Sequence, residues 1–327
     1  MTGKLEKECW RCETLNENDA QRCVVCNEWI GDPLEHSREI VRLALKEGWL
    51  EKAVFSEKVR KEFGPSVEQY LTALHLLLCN LPEAKGRMGG VVPSVEKVAA
   101  INLGGGVTMD LAWVEPGRFR MGSEHGEDDE RPVHEVQITK GFWVGKTPVT
   151  QAQWERVMGY NPSHFKGTKN PVERVSWNDS QHFIMTLNHL ISGGGFSLPT
   201  EAQWEYACRA GSTGAFCFGD DESRMGEYAW CDENSGDTPH PVGEKKPNAW
   251  GLYDMHGNVW EWCQDWYGKY LSGVQTDPTG AGSGSGRVKR GGSWYFSACC
   301  CRSAFRSNSP PVSQDYLNGF RLVGNLP

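Results

Sequence analysis

From about residue 109 onward, the chain never holds one apolar periodicity for long. Short apolar runs alternate with turn-forming clusters, and only two stretches have helical spacing. One runs from Thr150 to Met158, with Ala152, Trp154 and Val157 on one side. The other runs from Thr200 to Ala210, where Thr200-Glu201-Ala202-Gln203 reads as a capping element. Such a pattern excludes a helical bundle or a repeat array, so the core must come from elsewhere. The 14 tryptophans supply it, because each indole buries a large area, and most of the 38 glycines lie in the same two-thirds of the chain. The expectation is a compact, loop-rich fold held by aromatic anchors.

The N-terminal part reads differently. Residues 1 to 33 carry Cys9-x2-Cys12 and, ten residues on, Cys23-x2-Cys26. Each pair suits a tight knuckle, and four thiolates complete a tetrahedral zinc shell. So small a module buries too little core to fold without the metal. Two disulfides or four free thiols are the alternatives. The pattern resembles Ran-binding-protein-type zinc fingers and zinc ribbons, although Trp10 lies between the first two cysteines rather than before them. Modules of that kind bind protein or RNA, and a closed four-cysteine shell leaves no catalytic position. Residues 34–85 are expected to form a helical module, with Val67, Tyr70, Leu71, Leu74, Leu77 and Leu78 on one face. Residues 86–108, which include Gly86, Gly89, Gly90 and Gly104-Gly105-Gly106, read as a linker, leaving 109–327 as one domain.

Net charge is −8, so the whole-molecule field does not favour nucleic acid. No apolar run is long enough to cross a bilayer, and Met1 to Glu8 lacks an apolar signal core. The expectation is a cytoplasmic protein without membrane partners, in which the cysteines remain thiols or hold metal.

Several strings in the large domain are specific. They are Val114-Glu115-Pro116-Gly117-Arg118-Phe119-Arg120-Met121-Gly122-Ser123, Phe142 to Thr150, Pro171 to Trp177, Leu198 to Ala207, Asn248 to Met255, Gly257 to Trp262 and Arg290 to Trp294. In this order they closely resemble the formylglycine-generating-enzyme (sulfatase-modifying factor) domain family, over about Met109 to Val323. The resemblance implies an irregular α+β fold, a variant of the C-type lectin fold. Independently of it, Trp204, Trp250, Trp260 and Trp262 read as buried anchors with indole N–H groups on backbone carbonyls. Arg302, Arg306 and Arg321 read as ties to Glu201, Glu205 or Glu261.

In enzymes of this family two cysteines, three and eight residues after the Gly-Gly-Ser serine, bind copper(I) and activate oxygen. The second position is Cys301 here, but the first is Phe296, and one thiolate cannot make a two-thiolate site. A formylglycine-generating-type oxidase is therefore the alternative reading. A sulfur–carbon-bond-forming branch, whose iron is held by an added helical domain, is discounted because His36 and His75 lack paired ligand spacing. The resemblance also implies a calcium site of Gly257, Asn258, Val259 and Glu261, with oxygen donors that suit calcium. Glu261 as the partner of an arginine is the competing reading.

The stretch 294–318 is most similar to the variable region of target proteins of diversity-generating retroelements. In these, adenines of asparagine codons are randomised within a constant frame. The frame residues are Gly291-Gly292-Ser293-Trp294, Cys301-Arg302-Ser303-Ala304, Arg306 and Gly319-Phe320-Arg321-Leu322-Val323. The resemblance implies variable, ligand-binding positions at Tyr295, Phe296, Ser297, Cys299, Cys300, Phe305, Ser307, Asn308, Ser309, Tyr316, Leu317 and Asn318. None of these is Lys, Glu, Gln, Met or Trp, which randomised asparagine codons cannot encode. An interior rich in Tyr, Phe and Ser also suits a paratope: rigid aromatics give contact area at low entropic cost, and Ser and Asn give adaptable hydrogen bonds. The expected function is non-enzymatic binding of a protein or other macromolecule through this face, with a separate protein partner for the N-terminal modules.

Overall fold

The computed structural model describes residues 6–8, 15–17, 98–191 and 195–325. The four zinc-pattern cysteines and the expected helical module at 34–85 lie outside them. The chain divides into two units, Met1–Val95 and Glu96–Pro327. In the first, strands β1 (Glu6–Glu8) and β2 (Leu15–Glu17) pair antiparallel, with Lys7 opposite Asn16.

The second unit starts earlier than its composition suggests. Residues 98–104, expected to be linker, form strand β3 (Val98–Gly104), a hairpin with β4 (Val107–Val114). Ile101 is buried and Ala99 and Leu103 pack beside it on the same side, a period-2 pattern hidden by the three glycines that follow. Those glycines all have positive φ (82°, 63° and 79°), which a turn of this kind requires.

β4 then pairs with β7 (Phe142–Gly145), which pairs with the short β13 (Val323–Gly324), so the last strand of this unit joins the sheet that its first strand opens. A second sheet has the order β11 (Arg306–Ser309), β10 (Arg287–Arg290), β8 (Trp260–Trp266), β12 (Asn318–Gly319), the last pair parallel. A third joins β5 (Gly117–Met121), β6 (His134–Ile138) and β9 (Gln275–Thr276). This is the irregular α+β fold expected, built from small mixed sheets with few helices.

Helices α1 (Gln151–Met158) and α3 (Glu201–Arg209) occupy the two helical stretches. Each begins with a reciprocal capping box, Thr150 with Gln153 and Thr200 with Gln203. The longest helix among the described residues, α2 (Trp177–Leu190), is an addition to the sequence expectation. Ser176 and Asp179 cap it, and Phe183, Ile184 and Leu187 enter the core. One core cluster gathers Trp154, Phe183, Trp262 and Phe320, and another gathers Trp204, Met255 and Cys263 beneath β4, β6 and β7.

Trp262 Nε1 donates to the Val175 carbonyl at 3.0 Å as expected, whereas Trp204 Nε1 donates to a carboxylate, Glu261 Oε2, at 2.7 Å. Buried ion pairs bind distant parts of the chain. Arg306 grips Glu201 through two bonds of 2.6 and 2.7 Å. Glu205 lies between Arg209 and Arg290, both at most 7% exposed, so it stays ionised below the usual carboxylate range despite its burial. Arg302 departs from its expected partners and forms a two-bond pair with Glu130 at 2.9 and 2.7 Å.

Candidate functional surface

The segment 291–323 leaves β10 through two glycines with φ of 96° and 74°. At Gly292 a Cβ would stand 2.4 Å from Cys301 Sγ, so the backbone must pass bare over that thiol. Ser293 and Trp294 turn inward, and Trp294 is fixed by its backbone N–H on Asn258 O (2.8 Å) and its indole N–H on Tyr316 O (3.2 Å). A 3-10 turn, Ala298–Cys301, follows. It places Ala298 and Cys301 in an apolar cluster with Phe216, Met225, Ala229 and Cys231. Arg290 then collects the carbonyls of Ser303, Ala304 and Phe305, holding the chain as it enters β11. The return to the core is pinned where Trp260 N donates to Leu317 O at 2.7 Å.

Side chains divide along this path. The frame residues at 291–294, 301, 303, 304, 306 and 319–323 are buried, and Arg302 is half-buried on Glu130. Tyr295 (59% exposed), Cys299, Asn308 and Tyr316 (50%) are exposed, and Phe296, Ser297, Cys300, Phe305, Ser307, Ser309 and Leu317 are half-buried. Asn318 corrects the expectation. It is fully buried, accepts from Lys289 Nζ (3.0 Å) and donates to Asp315 Oδ2 (2.9 Å), so it belongs to the frame. Val312 and Gln314, outside the expected set, are exposed and extend the surface.

The outward rings form a patch that rests on the buried Trp260 and Trp294. Trp260 lies edge-on to Phe296 at 5.5 Å and tilted to Phe305 at 5.9 Å. Trp294 touches Tyr295 and Phe165, and Tyr316 faces His164 (5.7 Å) and Phe165 (6.4 Å). His164 and Phe165 come from the loop after α1. No sequence spacing connects them to residue 316, which is why His164 reads in the sequence as one of several scattered histidines. Glu173 accepts from Phe165 N at 2.8 Å and fixes that loop.

The two cysteine positions of the enzyme pattern do not make a metal site here. Phe296 presents a ring, and Cys301 is fully buried, its thiol pushed well above the usual range by burial. Two of the four donors expected for calcium, Asn258 and Glu261, are engaged by protein groups. Both Glu261 oxygens are taken by Arg321 at 2.6 Å each, and Trp204 adds a third bond, so a guanidinium already neutralises the carboxylate. The Asn258 carbonyl accepts from Trp294 N, and its side-chain oxygen accepts from His240 N. Among the two readings of Glu261, the arginine partner is the one observed.

The profile of the sulfatase-modifying factor enzyme 1-like domain matches residues 106–326. The chain belongs to this family. It is 35% identical over 202 residues to the formylglycine-generating enzyme of Streptomyces coelicolor, covering 56% of this chain and 61% of that one. The chain thus spans about three-fifths of that relative's length. Among solved structures, Treponema denticola variable protein 1 superposes with a TM-score of 0.66 at 32% identity, over 70% of this chain and 99% of that one. The PvdO protein of Pseudomonas aeruginosa superposes with a TM-score of 0.63 at 26% identity, over 70% and 98%. Among the described residues, no helix is long and apolar enough to cross a membrane.

Proposed function

We propose that the domain is a non-enzymatic binding module. In this reading it displays diversified residues on a sulfatase-modifying-factor scaffold, as the target protein of a diversity-generating retroelement. The observation that carries the reading is the division of one segment into a buried frame and an outward aromatic surface. Likeness to a protein named for its variability supports it, as does Phe296 in the place of the first copper-binding cysteine. The ligand is a protein or other macromolecule, contacted by Tyr295, Tyr316 and the ring edges of Phe296 and Phe305. Exposed tyrosines supply contact area and a hydroxyl at small entropic cost. The N-terminal cysteines Cys9, Cys12, Cys23 and Cys26 would hold a structural zinc and connect the binder to a separate protein partner.

The oxidase alternative requires copper(I) bound by two thiolates and oxygen-dependent conversion of a peptide cysteine. The test is a copper(I) competition titration with Cys301→Ser as the control, run beside an assay of oxygen uptake with a cysteine peptide. The binder reading expects no Cys301-dependent copper affinity and no turnover. Turnover that disappears in Cys301→Ser would establish the oxidase instead. Sequencing the genomic neighbourhood is an independent check, since a reverse transcriptase gene and a near-copy of the 3′ coding segment, differing only at adenines, are expected there.

A further inference from the structure

A cavity of about 300 Å³ shares no lining residue with the aromatic patch. The end of β8, the loop that follows it and the first residues of α3 line it. Trp266, Leu271, Pro278 and Ala281 give it apolar walls. Two buried polar side chains, Asp265 and His134, also line it, and each has one atom without a protein partner. Asp265 is 3% exposed. Its Oδ2 accepts from Glu201 N at 2.9 Å, and its Oδ1 has no partner among the described residues. His134 donates from Nδ1 to the Pro132 carbonyl at 2.9 Å, which leaves Nε2 as a bare acceptor in the neutral ring.

The backbone beside Asp265 is bare. Gly280 has a φ of 76°, and a Cβ there would stand 2.8 Å from Asp265 Oδ1. A side chain at that position would cover the free oxygen.

Charge decides what fits. Arg306 lines the cavity but is committed to Glu201 by two bonds. Arg287 stacks on the Trp177 and Trp266 rings and makes no ion pair with Asp265, and Lys269 lies exposed at the rim. Asp265 is thus a buried carboxyl without a counter-ion, and burial with the nearby Glu201 pushes it up to about 7. An anion would meet two carboxyl groups. A metal ion needs about three protein ligands, and among the described residues no such group of ligating atoms gathers in this cavity. A cation with its own N–H donors supplies both the missing charge and the missing hydrogen bond.

We propose that this cavity binds a primary ammonium group carried on a short apolar chain. The ammonium donates to Asp265 Oδ1, and the chain lies against Trp266, Leu271 and Pro278. His134 Nε2 offers a second acceptor within the same walls. Binding changes no covalent bond: where Asp265 is protonated, its proton passes to solvent as the ammonium enters. The site does not rest on the binder reading, and either can fail alone.

The test is calorimetric titration of the full chain at about pH 8, where Asp265 is largely ionised. The ligands are n-butylamine, Nα-acetyl-lysine methylamide and n-butanol. The first two carry the same head group and separate a free amine from a peptide side chain as its source. The alcohol has the chain without the charge. At least one amine is expected to bind at about one equivalent, with n-butanol at least about tenfold weaker. Asp265→Asn keeps the shape and removes the charge, and amine affinity is expected to fall at least about tenfold. This variant removes a buried carboxylate without a counter-ion, so it is expected to be no less stable than the parent at this pH, and lost binding does not report unfolding. Gly280→Ala, which covers Oδ1, is expected to weaken the amine to a similar degree. Binding of neither amine, or equal amine affinity in the parent and Asp265→Asn, overturns the site.

Discussion

Within residues 291–323, two sets of side chains alternate along one backbone and obey different constraints. Arg306, Arg321 and Asn318 are buried; each arginine makes two bonds to a carboxylate far away in sequence, and Asn318 joins Lys289 to the neighbouring Asp315. Tyr295 and Tyr316 are at least half exposed, and residue 316 contributes to the frame through its backbone carbonyl, which any side chain would leave in place. The difference shows how a surface is separated from its support. The backbone of the segment is fixed by arginines, by Trp294 and by bare glycines, so the outward side chains carry little of the folding energy and are free to differ.

The largest effect that would sharpen this contrast is at Glu205. Replacing it with Ala leaves Arg209 and Arg290 buried without their charge partner, and a loss of about 3–5 kcal/mol in urea unfolding is expected. A loss below about 1 kcal/mol would mean that the frame is held by something else.

Next in size is a pH effect at Asp265, which lies in the same buried layer and accepts from Glu201 N at 2.9 Å. Burial and the nearby Glu201 raise its pKa from 3.8 to about 7. The folded state therefore holds this proton more tightly than the unfolded state. The resulting stabilisation is complete below about pH 4 and is lost as pH rises through 7. Asp265→Asn is expected to gain on the parent by on the order of 2–3 kcal/mol between pH 4 and 8, read from denaturation midpoints across that range. A constant difference would contradict the raised value.

Gly292→Ala forces a Cβ against Cys301 at a φ of 74°, and a loss of about 1–3 kcal/mol is expected. Retained stability there would show that the backbone can shift away from the thiol. The smallest effects belong to the surface. Tyr295→Ala and Tyr316→Ala are each expected to change unfolding free energy by about 0.5 kcal/mol or less.

Much of this architecture was legible in the sequence. Thr150 and Thr200 mark two helices because a cap and its reciprocal glutamine are local signals. The order of Gly-Trp strings identifies the fold, since each string specifies one turn and one anchor. Helix α2 is not legible in the sequence because its apolar face, Phe183, Ile184 and Leu187, is short and follows a run of polar residues that hides the period. β3 reads as linker in the sequence because three glycines mask the alternation before them. The pairing of Arg302 with Glu130 and the meeting of His164 with Tyr316 join residues more than 100 positions apart, for which no spacing rule exists. The resemblance places Asn318 among the variable positions, and only the neighbouring Lys289 and Asp315 reveal its structural role.

Saturation mutagenesis tests the central claim most directly, with folding read by protease resistance of the displayed chain and no ligand required. Tyr295 and Tyr316 are expected to accept nearly every residue type, while Ser303, Arg306 and Arg321 reject nearly all. Rejection of polar residues at Tyr295 and Tyr316 as strong as at Arg306 would make those tyrosines part of the core and contradict the account.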